Sequence, residues 1–169
     1  PGVDTYTLTD GDGVAVIFGR NVGDPTGHYA LRSVNPPGSA DISTITYQQV
    51  TVDGKALLQP TRVLAPVPAG VNCDTGLARG CRALTFTYAT TTTATGTASA
   101  DWGDYTGRLS TVSFTAWDPD ANPAGMRTIE VARYSYDNTG RLRAAWDPRL
   151  DWSDEVVHHL QTIYDYDSD

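Results

Sequence analysis

The chain predicts an all-β fold, an array of antiparallel β-hairpins, and three observations carry that prediction. Tyr134 and Tyr136 stand two residues apart, the spacing that sets both rings on one face of a strand. Asp137-Asn138-Thr139-Gly140 follows with turn chemistry, an Asp whose carboxylate bonds the amides just ahead of it and a Gly free to take a positive φ. The pattern then begins again at Tyr166-Asp167, as a repeat does. Composition agrees: Thr, Gly, Tyr, Trp and Val are plentiful and Met occurs once, the mixture of Thr-rich and aromatic-rich strands.

Degenerate copies of the unit come first along the chain. Tyr6-Thr7-Leu8 leads the first, Asp10-Gly11-Asp12-Gly13 turns it, and a long return ends at Leu31-Arg32-Ser33-Val34-Asn35-Pro36. Pro36-Pro37-Gly38-Ser39 separates it from the second, in which Thr44-Ile45-Thr46-Tyr47 leads through Asp53-Gly54 to Thr61-Arg62-Val63-Leu64-Ala65-Pro66. A short linker, Ala65 to Gly70, precedes a Gly-flanked loop between Cys73 and Cys81. That loop folds back readily, and the spacing predicts a disulfide, which in the chain-entropy model contributes roughly 2 to 3 kcal/mol. Two free buried thiols are the alternative. A zinc pair is disfavoured because the three His lie far away in sequence.

The third copy leads with Leu84-Thr85-Phe86-Thr87-Tyr88 and, after an insertion, reaches Tyr105-Thr106-Gly107-Arg108-Leu109 and then Trp117-Asp118-Pro119. The insertion holds the Thr-rich tract Thr90 to Ala100, read as a strand that frays into a loop. The most regular unit runs from Arg133 to Pro148, where Leu142 and Ala144 alternate outward from the turn and Asp147-Pro148 stops the return strand. Residues 160–169 then restart the pattern. The strand of residues 160–167 is expected to lack its partner, because the next Gly-Arg-Leu does not follow, and either to pair edges with a neighbouring copy or to leave its last residues mobile.

The motif Tyr136-Asp137-x-x-Gly140-Arg141-Leu142, preceded by Tyr134 and restarted at Tyr166-Asp167, resembles the Rhs/YD-repeat family. These are secreted bacterial proteins whose tandem repeats are related to the shells of teneurins and insecticidal toxin complexes. Residues 131–148 match the repeat closely and 160–169 match as a truncated second copy. The Tyr105 copy keeps Gly107-Arg108-Leu109 but lacks the Asp, and the first two copies lack Gly-Arg-Leu altogether. The stretch from Pro60 to Tyr88 further resembles the segment preceding the regular repeats in large actinobacterial members. The resemblance implies a division into a degenerate segment, 1–130, and the YD repeats, 131–169. It also implies a non-catalytic structural segment whose partner is the remainder of the same repeat protein, walling a shell that encloses or presents a C-terminal effector. No cofactor is expected.

Charge and length set outer bounds. Twelve basic against 20 acidic residues give a net charge of −8, which argues against a nucleic-acid partner. The late acids Asp147, Asp151, Asp154, Glu155, Asp165, Asp167 and Asp169 read as a solvated face. No apolar run approaches the roughly 20 residues of a membrane span, and no leader-like segment opens the chain; Pro1 reads as the start of an excised piece. With a disulfide, the expected setting is extracytoplasmic, secreted or at the cell surface.

The sequence offers few residues arranged for catalysis. No nucleophile elbow, His-Glu-x-x-His motif or phosphate loop is present. His28 reads as a loop residue, and His158 and His159 as strand neighbours facing opposite sides. Nothing selects two carboxylates for a hydrolase, the weakest of the three readings. Asp118, Asp120 and Asn122 alternate as calcium ligands do, but Pro123 stands where the sharp turn wants Gly and Ile129 where a bidentate Glu belongs, so a hairpin loop is the simpler reading. The alternative to a scaffold is a module for cell-surface glycans. Tyr134, Tyr136 and Trp146 fall at repeat positions and read as array interior, whereas Trp102 and Trp152 lie outside it and are the stacking candidates.

Overall fold

The structure is a computed structural model that describes residues 4–20, 27–39, 41–52, 54–153 and 157–167; the side chains of Trp152, Ser153 and Val157 are not described. Asp53, Asp154, Glu155 and Asp169, singled out in the sequence, lie outside these residues.

The fold is all-β. Twelve strands occur among the described residues: β1 (Thr5–Thr9), β2 (Ala15–Arg20), β3 (Tyr29–Asn35), β4 (Ser43–Val52), β5 (Lys55–Leu64), β6 (Arg82–Tyr88), β7 (Leu109–Asp118), β8 (Gly125–Tyr136), β9 (Leu142–Trp146), β10 (Trp152–Ser153), β11 (Val157–His158) and β12 (Gln161–Ile163). Ten form one sheet in the order β1-β2-β3-β4-β5-β6-β7-β8-β9-β12, and β10 and β11 pair separately. Sequence neighbours are sheet neighbours almost throughout, the topology of successive hairpins. Two short 3₁₀ turns, Ser99–Asp101 and Pro148–Leu150, interrupt the loops. No helix among the described residues is long and apolar enough to cross a membrane.

Backbone contacts group the chain into two compact units, Pro1–Leu84 with Thr115–Arg127, and Thr85–Phe114 with Thr128–Asp169. In the first, β1 and β2 close through a turn in which Asp10 Oδ1 accepts from Asp12 N at 3.0 Å and Val14 N at 2.9 Å, with Gly13 at φ 81°. The long return expected after this turn is in fact two strands. β2 pairs β1, and β3 then pairs β2 with a bulge at Ile17/Phe18. The β4–β5 hairpin runs from Thr44↔Leu64 to Val52↔Lys55 and carries Gly54 at φ 74° in its turn. Pro60 sits inside β5, opposite Tyr47, where the register shifts. A bulge is where a strand tolerates a residue with no amide hydrogen.

The core of this unit forms around Cys73 and Cys81, which are joined by a disulfide with Cα atoms 5.9 Å apart. Both are buried with Leu64 and Ala83, and Val67, Val71 and Leu77 pack against them. The Ala65–Gly70 stretch is tied to this core at its start, where Val67 packs against the cluster and Ala65 N donates to Arg82 O at 2.9 Å, while residues 68–70 are exposed. Burying a Leu or Val contributes about 1.5 to 3 kcal/mol, so this cluster and the cross-link hold the loop together.

In the second unit β8 and β9 form the predicted hairpin, with Tyr134↔Ala145 and Ser135↔Ala144 in register and a shift before Tyr136↔Leu142. The residues after β9 do not hang free. β12 pairs β9 through Gln161↔Trp146, Thr162↔Ala145 and Ile163↔Ala144. The expectation that the 160–167 strand lacks a partner is thus corrected, because β9 offers its second edge. β12 still ends the strand order, so its outer edge has no neighbour among the described residues.

Candidate functional site

The repeat motif builds a closed joint. Asp137 follows β8 and is fully buried, 0 % exposed. Its Oδ1 accepts from Thr139 N at 2.9 Å, Thr139 Oγ1 at 2.6 Å and Arg141 N at 3.1 Å, and its Oδ2 from Arg143 Nε at 2.8 Å. Burial alone pushes this carboxyl up, but the Thr139 and Arg141 donors and the Arg143 guanidinium outweigh it and hold the group down at about 2. A carboxylate so acidic and so fully engaged is a poor proton donor or acceptor near neutral pH. Its chemistry is to hold the turn.

Gly140 takes φ 77° in that turn, as its motif position predicts. A Cβ there would lie 3.0 to 3.2 Å from the Tyr105 ring, so Gly is required by both conformation and space. Tyr136 is buried and its hydroxyl donates to Leu109 O at 2.7 Å; burial pushes its phenol up to about 12. Tyr166, although exposed, repeats the bond: its hydroxyl donates to Leu142 O at 2.9 Å, with Arg141 and Arg143 over its ring at 5.6 and 5.2 Å. Asp167 is exposed.

The Tyr105 copy has no Asp after its Tyr; Asp104, three residues before Gly107 as Asp137 is before Gly140, accepts from Ser110 Oγ at 2.8 Å, and the Thr-rich tract braces the same loop. Thr92 Oγ1 accepts from Thr106 N at 3.1 Å, Thr93 Oγ1 accepts from Asp104 N at 2.8 Å, and Gly107 N donates to Ala89 O at 2.8 Å. β6 ends at Tyr88, so the tract is a loop throughout and lacks the strand expected at its start, and its hydroxyls are positioned acceptors. Gly103 extends the joint through paired backbone bonds with Tyr136, at 3.0 and 2.7 Å.

Beside this joint lies a cleft of about 500 Å³ within the same unit. Trp102, half-buried, borders it and is anchored by Nε1 donating to Thr97 O at 2.9 Å. Trp146 and His159 border it as well, their rings 4.9 Å apart, and Trp146 Nε1 is buried with no hydrogen-bond partner among the described residues. His159 Nδ1 lies 2.9 Å from Asp151 Oδ1, a buried oxygen with no hydrogen-bond partner among the described residues. Asp104, also at the cleft, accepts from Ser110 Oγ at 2.8 Å.

The structure thus separates the two Trp stacking candidates. Trp102 lies at the cleft, while the ring of Trp152 is outside the description. Trp146, read from the sequence as array interior, proves to be a cleft residue, and His159 was read without its stacking partner. Their juxtaposition follows from β12 docking on β9, a register that residue spacing does not encode. Tyr134 also lines the cleft. Asp118 Oδ1 accepts from the amides of Asp120 and Ala121, the bonding of a hairpin loop. No group of three His, Cys, Asp or Glu residues suited to a metal ion occurs among the described residues. His28 is exposed in a loop, and His158 pairs opposite Trp152 in the small sheet.

The chain matches no protein-family model, no curated protein and no solved structure.

Proposed function

We propose that this chain is a non-catalytic structural segment of a large secreted repeat protein of the Rhs/YD kind. It contributes wall to a β-hairpin shell that encloses or presents an effector. One recurring tie carries the reading. Tyr136 donates to the carbonyl of Leu109, and Tyr166 donates to the carbonyl of Leu142. In each case the leading Tyr of one unit reaches the Leu that closes Gly-Arg-Leu in the unit before it.

A joint remade from one unit to the next stacks hairpins by nearest-neighbour contacts, which is how repeat proteins extend. The motif residues are spent on that joint: Asp137 on its own turn, Gly140 on contact with Tyr105, and Arg141 and Arg143 on the ring of Tyr166. The disulfide accords with an oxidising, extracytoplasmic setting.

Electron cryo-microscopy of the parent polypeptide, with this segment marked by a bound antibody fragment, tests the proposal. The segment is expected to lie in the wall of a hollow β-shell. A segment standing outside any shell as a separate module would overturn it.

A further inference from the structure

We propose that the cleft walled by Trp102, Trp146 and His159 is a binding site for a neutral oligosaccharide. This reading is independent of the scaffold role, since a shell wall functions with or without a sugar on it. Three observations carry it. The cleft, about 500 Å³, falls within the range of small-ligand sites and lies within one unit. Its aromatic surfaces come from separate elements, Trp102 from the loop before β7, Trp146 from β9 and His159 from just before β12. The third is a row across three strands: Arg133 on β8 is paired with Trp146 on β9, which is paired with Gln161 on β12.

Paired residues of adjacent antiparallel strands share a face, so the row sets a guanidinium and an amide on either side of an indole. A pyranose presents the complementary pattern. Its C–H face packs on an aromatic ring, while equatorial hydroxyls at its rim both donate and accept. Gln161 both donates and accepts, Arg133 donates, and the Asp104 carboxylate accepts.

Other ligand classes fit less well. Arg133 is already paired with Glu130 at 2.9 Å, Asp104 and Asp151 add negative charge, and the chain carries −8 overall, so a polyanion is repelled. An apolar ligand would take the Gln161 amide and the Arg133 guanidinium out of water without offering them a partner.

The test is titration of the full 169-residue chain with neutral trisaccharides of glucose, galactose, mannose and N-acetylglucosamine. Tryptophan fluorescence and calorimetry are the readouts, and heparin oligosaccharide is the charged control. At least one neutral sugar should saturate the chain in the millimolar range or below and shift the tryptophan emission. Trp146→Ala should weaken that binding roughly tenfold or more. Because that change can disturb the sheet, Gln161→Ala, at an exposed position, provides a second variant and should weaken binding severalfold with an unchanged circular dichroism spectrum. Tyr6→Ala, at an exposed aromatic of the other unit, should leave affinity unaltered. Failure of every neutral sugar, binding indifferent to Trp146 and Gln161, or binding of heparin alone and lost with added salt would each overturn the assignment.

Discussion

The turns at Asp10 and Asp137 are wired by the same bonds and differ in what surrounds them. In each, the Asp amide donates to the carbonyl four residues on, the Gly amide donates back to the Asp carbonyl, and Oδ1 accepts from the second and fourth amides ahead. Asp10 is exposed, whereas Asp137 is sealed from solvent beneath Arg143 and the Thr139 hydroxyl, with the ring of Tyr105 against Gly140. The same local device is a surface turn in one unit and the centre of a joint in the other. Burial raises the cost of losing a partner, so the two turns should respond very differently to the same change.

The largest effect is expected at the carboxylate itself. Asp137→Ala leaves the Arg143 guanidinium and two amides short of an acceptor in a closed site and should cost about 3 kcal/mol, against roughly 1 kcal/mol or less for Asp10→Ala. Urea denaturation of both variants measures the difference. Equal losses would mean that local wiring, and no burial, sets the value of the turn.

Glycine substitutions sharpen the same contrast. Gly140→Ala forces an L residue to a positive φ and presses a Cβ onto Tyr105, so about 2 kcal/mol or more is expected. At Gly54, also at positive φ but with open space around its Cβ position, Gly→Ala should cost only the conformational part, about 1 kcal/mol. Matching midpoints for the two variants would remove Tyr105 from the joint.

Next comes the tie between units. Tyr136→Phe deletes a buried hydroxyl and leaves Leu109 O without that donor, for about 1 to 1.5 kcal/mol. Tyr166→Phe, on the exposed copy of the bond, should cost a few tenths of that, because water replaces the lost donor. Hydrogen exchange at residues 109–112 and 142–145 would show whether each loss stays local.

The buried carboxylate and phenol of the joint can also be read through pH. The Asp137 carboxyl is depressed, so the stability it supplies is complete above the ordinary value of 3.8 and is lost as pH falls toward about 2. The Tyr136 phenol is raised, so its contribution is complete below 10.0 and is lost as pH climbs toward about 12. Asp137→Asn should flatten the acid limb and Tyr136→Phe the alkaline one. An unaltered acid limb in Asp137→Asn would place the native carboxyl in the ordinary range.

Strand and turn assignments were legible wherever a short span closes on itself. Tyr134, Tyr136 and the Asp137–Gly140 turn, the Asp10 turn and the β4–β5 hairpin all follow from side-chain period and turn chemistry. The cystine followed from eight residues of separation within a Gly-flanked loop. The split of the first return into β2 and β3 was not foreseen, although Gly23-Asp24-Pro25-Thr26-Gly27 carries the turn chemistry that marks such a break. The role of Thr92 and Thr93 was also hidden, since a hydroxyl's partner lies across a loop and leaves no periodic trace. Trp146 was assigned to the interior from its repeat position, yet what its ring meets depends on a strand arriving from beyond the repeat.

The sequence by itself determined the class of fold, the position of the hairpin turns and the cross-link, because each is closed by residues a few positions apart whose conformational preferences are intrinsic. Tertiary structure alone decided which of two identically wired Asp turns is buried, which strand covers β9, and that Trp102, Trp146 and His159 border one cleft. Those outcomes depend on strand register and on long-range packing, and the free energy that selects them is a sum over many contacts that no single motif contains.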